Sequence, residues 1–279
     1  EFRRVLFRSY SIGQRGHHLA FLQCPMNLFE SGAFSTANTG KDGHRTVLEC
    51  AREAGLAVLV NRPLNAMPPG CQGMVRLADV PLENGPVDFA TQCAKVDGLE
   101  REYRQSIAPA IQHGGQGMAP AEFFNWAEEL RRIRPQIQGV EHWEQIEQHM
   151  IAPHVNQVLQ AVSRHLSGSM AEQWETWRDR YVPELLLLLR GLQREAAERS
   201  RHRAAAISER VNPLLPVPRR SESLSRRALW VLASTPGISC VLNGMRTVSY
   251  AQDSLAVLSW EPAKEVSAVY GQMASGAFD

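Results

Sequence analysis

Apolar residues along this chain group in two ways: short, mostly apolar runs, and long stripes at helical spacing. Such runs occur at residues 19–25, with Gln23 inside, at 56–60, and at 238–242, with Ser239 inside. Each has strand length and ends at a breaker: Pro25, then Asn61-Arg62-Pro63, then Asn243-Gly244. That pattern predicts three strands. A helix is predicted over about 44–54, because Val47, Leu48, Ala51 and Ala54 recur at helical spacing and Gly55 stands at the stop. An unbroken apolar strand directly after a helix predicts a parallel strand buried on both faces. Residues 19–60 therefore read as a β-α-β unit. A matching stretch lies near the C-terminus. Ser223 or Ser225 can cap a helix running through Ser234, with Leu224, Ala228, Val231 and Leu232 on one side. Thr235-Pro236-Gly237 supplies the turn before the third strand. Further helices are predicted over about 249–259 and after Pro262.

The region from 72 to 220 differs. Its opening, through about Asp97, reads as irregular, and helical patterns follow at 99–112, 120–134, 140–167 and 169–210. Val140, Trp143, Met150, Val155, Leu159, Val162 and Leu166 form one apolar stripe. Met170, Trp174, Trp177 and Tyr181 form another, which reads as helix–helix packing. Pro153 and Pro183 predict kinks or breaks. Residues 194–210 are charged and Ala-rich and read as a solvated helix end. Leu215-Pro216-Val217-Pro218 reads as a linker.

Composition changes this picture little. The chain has 279 residues, an ordinary apolar fraction and a formal charge of +1. Acids and bases are interspersed, which argues against a nucleic-acid surface. No apolar run approaches a membrane span; the leucine run 185–189 is flanked by Glu184 and Arg190 and reads as the buried part of a helix. Five scattered cysteines without a CxxC pair read as reduced thiols of a cytoplasmic protein. Residues 1–9, EFRRVLFRS, read as translated sequencing adapter, a non-native segment outside the fold. Without their three Arg and one Glu the formal charge becomes −1.

Motif chemistry is sparse. His17-His18 and the set His142, His149, His154 lack the carboxylate of an HExxH or ExxH pattern, so no metal site is expected. Ser35 and Ser169 have no base at readable spacing. There is no GxGxxG and no Walker loop, and Gly114-Gly115-Gln116-Gly117 reads as a turn. From the residues alone the chain is a soluble α/β protein with a helical insertion.

Three segments carry a resemblance. Phe21-Leu-Gln-Cys-Pro-Met-Asn27 resembles the sixth barrel strand of aldo/keto reductases. Thr46 to Leu64, ending Val-Leu-Val-Asn-Arg-Pro-Leu, resembles the next helix and seventh strand. Residues 229–255, containing Pro-Gly-Ile-Ser-Cys-Val-Leu-Asn-Gly-Met-Arg246, resemble the eighth strand and its cofactor-binding turn. The resemblance implies an α/β fold comprising the last three strands of a (β/α)8 TIM barrel, interrupted by a large all-helical insertion. The implied divisions are 10–71 for strands six and seven, 72–220 for the insertion, and 221–279 for strand eight and the C-terminal helices.

In such barrels the site forms at the C-terminal strand ends, where Gln23, Asn61, Arg62, Leu64, Gly244, Met245 and Arg246 fall. The resemblance implies that Gln23 holds the nicotinamide carboxamide, since an amide both donates and accepts. The backbone around Leu64 would approach the pyrophosphate, and Gly244 would permit close approach at the last turn. Arg246 would face the adenosine 2′-phosphate, which favours NADP (NADPH) over NAD. Tyr250 and Ser254 would lie toward the adenine. The residues alone leave open a hydrogen-bonded core role for Gln23 and a plain surface charge for Arg246.

The implied partners are this cofactor and a small carbonyl substrate, with hydride passing to the carbonyl carbon. The family's catalytic Asp, Tyr, Lys and His belong to its first four strands, so no catalytic residue is assigned here. This C-terminal segment is expected to be inactive alone and poorly stable. The insertion leaves beside the cofactor site and reads as a lid or a partner-binding cap. Where the family often has a stacking aromatic and an adenine-contacting Asn, this chain has Asn61 and Ser254. A second reading is therefore a non-catalytic interaction protein that displays the helical region to a protein partner. A third is an unrelated helical binding module.

Overall fold

The computed structural model of the protein describes residues 19–68, 73–81, 88–111 and 119–275. The adapter-like segment, His17-His18, Cys71 and the Gly114–117 turn lie outside these. The fold is mixed α/β, with 63% of the described residues helical. It divides into two compact units: residues through Asp79 together with His202 onward, and Val80–Arg201.

The first unit holds a three-stranded sheet: β1 (Phe21–Pro25), β2 (Ala57–Asn61) and β5 (Cys240–Val241), in that spatial order. Both pairings are parallel, with Gln23 opposite Leu59 and Leu59 opposite Cys240. The Val47–Glu53 helix crosses over between β1 and β2. Thr46 and Glu49 close a capping box at its start. Gly55, at φ +68°, takes the left-handed conformation past its end. Leu22, Cys24, Val58 and Val60 turn one face of the sheet into the core. Packed in the same core are Leu48 and Ala51 of the first crossover helix and Ala228, Val231 and Leu232 of the Leu224–Ala233 helix.

The opposite face departs from the expected two-sided burial. Phe21 is 58% exposed and Leu242 is 40% exposed, while Ala57, Leu59 and Asn61 are half-buried. An apolar run cannot distinguish cover on one side from cover on both, because strand side chains alternate faces whatever their type. Two elements were not expected. A small antiparallel hairpin joins β3 (Asn65–Ala66) to β4 (Val75–Arg76), and a one-turn helix forms at Gly32–Ser35. Val75 and Leu77 join the sheet core, so the sequence boundary at 71/72 falls inside this unit. At the other boundary Ala204, Ile207, Val211 and Leu215 belong to the same core. The 194–210 segment is thus not a solvated end: Ala196, Ala204 and Ile207 on it are buried.

The second unit is helical. Its first helix, Phe89–Ser106, begins well before the expected start and is capped by Asp88, whose carboxylate accepts from Ala90 N and Thr91 N. Pro109 follows in a 3-10 turn at Ala108–Ala110. Trp126–Ile133 comes next. Val140–Ile146 then passes into a π-helical segment, Glu147–Ile151, before Ala152–His165. That irregularity sits immediately before Pro153, where the missing N–H interrupts the α-helical ladder. Pro183 behaves otherwise: helix Ser169–Val211 runs through it without a break. Leu185, Leu188 and Leu189 are buried, whereas Leu186 and Leu187 are exposed. The 185–189 run is therefore one stripe of a helix and not a wholly buried segment.

Candidate functional site

The C-terminal ends of the three parallel strands carry the most unusual local chemistry of the sheet unit. At the end of β1, Asn27 is fully buried. Its Oδ1 accepts from Phe29 N and Glu30 N, each at 3.0 Å. Its Nδ2 donates to Glu30 Oε2 at 2.7 Å and to Asn65 O at 3.3 Å. One amide thus ties the loop after β1 to the loop after β2. Glu30 extends the link, accepting from Arg62 Nη2 at 2.6 Å and from Met67 N at 3.1 Å. Arg62 stands at φ +53°, the one non-glycine residue with positive φ among the described residues. A bulky side chain there is strained, and the Asn27–Glu30 network holds it in place. Beside it, Asn61 Oδ1 is buried without a hydrogen-bond partner among the described residues. A buried unpaired carbonyl costs roughly 1–3 kcal/mol, so Asn61 and Arg62 together mark a locally expensive strand end.

Gln23 lies on the less-covered face of the sheet, diagonal to Asn61 through the Gln23–Leu59 and Pro25–Asn61 pairs. Its side chain is exposed and has no hydrogen-bond partner among the described residues. The core-amide alternative for Gln23 does not describe it. Leu64 packs partly against the sheet core, and its carbonyl accepts from Leu77 N at 2.8 Å.

At the end of β5 the chain turns through Gly244, Met245 and Arg246 into the Val248–Leu255 helix. A Cβ at Gly244 would meet nothing within 4 Å, and Gly244 has no positive φ. Nothing in the protein itself requires glycine there. Met245 is 47% exposed. Arg246 is exposed and makes no ion pair or hydrogen bond among the described residues. Thr247 caps the helix by accepting from Tyr250 N. Ser254 is buried, and its hydroxyl is already committed: it accepts from Asn243 Nδ2 at 2.7 Å and donates to Tyr250 O at 2.8 Å. Ser254 therefore fixes the turn and does not present its hydroxyl outward. Asp253 accepts from Ser225 Oγ at 2.6 Å and pairs with Arg226 at 2.7 Å, anchoring this helix to Leu224–Ala233.

The guanidinium of Arg76, on β4, lies 5.9 Å from the Tyr250 ring centroid. This contact brings the hairpin after β2 to the helix after β5. Arg76, Asn27 and Glu30 were not selected from sequence as site residues. Asn27 and Glu30 carried a signal, an Asn with Glu three residues on after a strand. Arg76 carried none, because the hairpin that places it is only two residues per strand.

Other chemistry is accounted for by packing. His142 Nδ1 accepts from Gln138 N, and the His154 ring meets Trp126 at 5.6 Å. No group of three metal-ligating side chains occurs among the described residues. No helix there is long and apolar enough to cross a membrane. A separate cleft of about 560 Å3, lined by Leu214, Pro218, Trp230, Pro262 and Val269, includes none of the strand-end residues. No family model, no curated protein and no solved structure matches the chain.

Proposed function

We propose that this chain is the C-terminal, cofactor-holding segment of an NADP-dependent aldo/keto reductase-like oxidoreductase. In this reading β1, β2 and β5 are consecutive strands of a (β/α)8 barrel. The observation that carries it is the sheet itself: three parallel strands in sequential order, helices over one face, and unpaired polar groups at the C-terminal ends. A barrel has its helices outside and its site at those ends, and a three-strand arc of it leaves its inner face less covered. The donor set suits the cofactor. Gln23 offers a free amide to a carboxamide, and the unpaired Arg246 guanidinium suits a 2′-phosphate. The nicotinamide, when bound, supplies a hydride to a carbonyl carbon. Arg62 and Asn61 would shape the wall beside it. The catalytic Asp, Tyr, Lys and His are assigned to no residue of this chain. A cytoplasmic setting accords with the free thiols of Cys24, Cys50, Cys93 and Cys240.

The internal engagement of Ser254 favours the second reading, a non-catalytic protein that displays its helical unit to a partner. Nucleotide titration separates the two. The proposal expects NADPH to bind more tightly than NADH, and Arg246→Ala to weaken NADPH about tenfold while leaving NADH unchanged. Equal affinity for the two nucleotides in both proteins would remove the NADP assignment. No binding of either would leave the interaction reading.

A further inference from the structure

The cleft of about 560 Å3 between residues 214–219, the Leu224–Ala233 helix and residues 261–269 lies wholly within the sheet unit. Its volume falls in the roughly 300–1,000 Å3 range of small-molecule pockets. Leu215, Trp230 and Val269, all buried, form its floor, and the exposed rings of Pro216, Pro218 and Pro262 form its rim. The three prolines have no N–H to give. Other donors around the cleft are spent inside the protein. Arg219 N donates to Pro216 O, Ala263 N to Ser234 Oγ and Trp230 Nε1 to Glu261 O, each at 2.8 Å. The body of an occupant is therefore apolar, since a polar one would give up water without replacement.

The Arg219 side chain is the exception. Its guanidinium lies 4.0 Å from the Trp260 ring centroid, which sets its plane. Trp260 is itself held edge-on against Trp230, at 5.8 Å and 75°. The Arg219 side chain is only 27% exposed, yet it makes no hydrogen bond among the described residues. Its ion-pair partner Glu222 stands 3.9 Å away, beyond hydrogen-bond range, and takes a hydrogen bond from Arg226 at 2.9 Å. A guanidinium carries five N–H donors, and a half-buried set of them calls for an acceptor. Lys264 also lines the cleft and has no ion pair or hydrogen bond among the described residues. Glu261 and Glu265 line it too, but both are exposed, where water and salt screen them more than they screen Arg219.

We infer that this cleft binds an apolar carboxylic acid. The hydrocarbon body rests on Trp230 and Val269, and the carboxylate meets the edge of the Arg219 guanidinium. Two parallel N–H donors match two carboxylate oxygens, and stacking on Trp260 fixes their orientation in advance. Lys264 adds a second positive charge. The inference stands apart from the cofactor reading, since no strand-end residue lines the cleft.

The test is calorimetric titration of the 279-residue chain with naphthoate, its uncharged methyl ester and naphthylmethylammonium. Naphthoate should bind about tenfold more tightly than either of the others. Arg219→Gln should weaken naphthoate about tenfold and leave the ester unchanged. Ala263→Trp fills the cleft from its half-buried wall and leaves Arg219 in place. It should abolish binding of naphthoate and ester alike, so the test holds even where Arg219→Gln lowers the melting temperature. Equal affinity for the three probes, no binding of naphthoate, or full naphthoate affinity in a folded Arg219→Gln or Ala263→Trp variant overturns the inference.

Discussion

Glu100 in the helical unit is wholly buried and takes three donors; Gln23 in the sheet unit is exposed and takes none. The Glu100 carboxylate accepts from Trp126 N at 2.8 Å, from Ala127 N at 3.2 Å and from Tyr181 Oη at 2.9 Å. It caps the Trp126–Ile133 helix from a neighbouring helix, where Asn125 supplies no side-chain cap. Trp177 Nε1 donates to Leu99 O, and Trp174 Nε1 to Ser163 Oγ, both at 2.8 Å. Tyr103 Oη, Trp143 Nε1 and Arg194 Nη1, buried without a hydrogen-bond partner among the described residues, are exceptions. In the helical unit polar groups are spent on joining helices. In the sheet unit, Gln23 on β1, Arg76 on β4 and Arg246 in the turn after β5 make no hydrogen bond or ion pair among the described residues. Groups already satisfied internally have little to offer a ligand, whereas uncommitted ones on a rigid frame do.

The sharpest way to break that contrast is to damage the helical core. Trp177 stacks on Tyr181 at 4.5 Å and on Trp174 at 5.3 Å and is 1% exposed. Trp177→Ala should destabilise this unit by about 3–5 kcal/mol in chemical denaturation. A loss under 1 kcal/mol would mean that the aromatic cluster is not its core.

Glu100 gives a smaller effect with a pH signature. Glu100→Ala strands three donors and should cost about 2–3 kcal/mol. Burial is the largest influence on the carboxyl and raises its pKa, while the Tyr181 and backbone donors oppose it. A carboxyl whose folded pKa lies above its unfolded value contributes stability below the unfolded pKa. That contribution is lost as pH rises through the folded pKa. The helical unit should therefore lose stability as pH climbs from the ordinary carboxylate range through the raised pKa. Glu100→Gln should flatten that slope, as read from melting temperature against pH. An unchanged slope would show that another group carries it.

The smallest effect belongs to the sheet unit. Gly55→Ala places a Cβ in a left-handed conformation with open space around it. It should cost about 1 kcal/mol through backbone strain alone, seen as a small fall in melting temperature. A loss several times larger would indicate a packing role the structure does not give it.

The same contrast explains what was legible in the sequence. β1, β2 and β5 were found because their apolar runs end at Pro25, Pro63 and Gly244, and the helices beside them because Val47, Leu48, Ala51 and Ala54 recur at helical spacing and Ser223 or Ser225 offers a cap. The start of helix Phe89–Ser106 was hidden, since its buried stripe includes Gln92 and Glu100 among Phe89, Cys93, Val96 and Tyr103. Polar residues sit inward there because partners from distant sequence satisfy them: Glu184 for Gln92, and Trp126, Ala127 and Tyr181 for Glu100. No periodicity reveals such partners. Pro183 was misleading for a related reason, since neighbouring turns and core leucines hold the helix through one lost hydrogen bond. At the site, Arg62 and Arg246 were readable after strand ends through the family resemblance, whereas Gln23, expected at a strand end, lies in the middle of β1. Arg76 was not readable, because only the hairpin brings it to Tyr250.

The most direct test of the central claim is amide hydrogen exchange of the chain with and without saturating NADPH. The account predicts protection at 23–27, 61–66, 75–77 and 243–251, with residues 88–111 and 119–201 unchanged. Protection confined to the helical unit, or none anywhere, would contradict it.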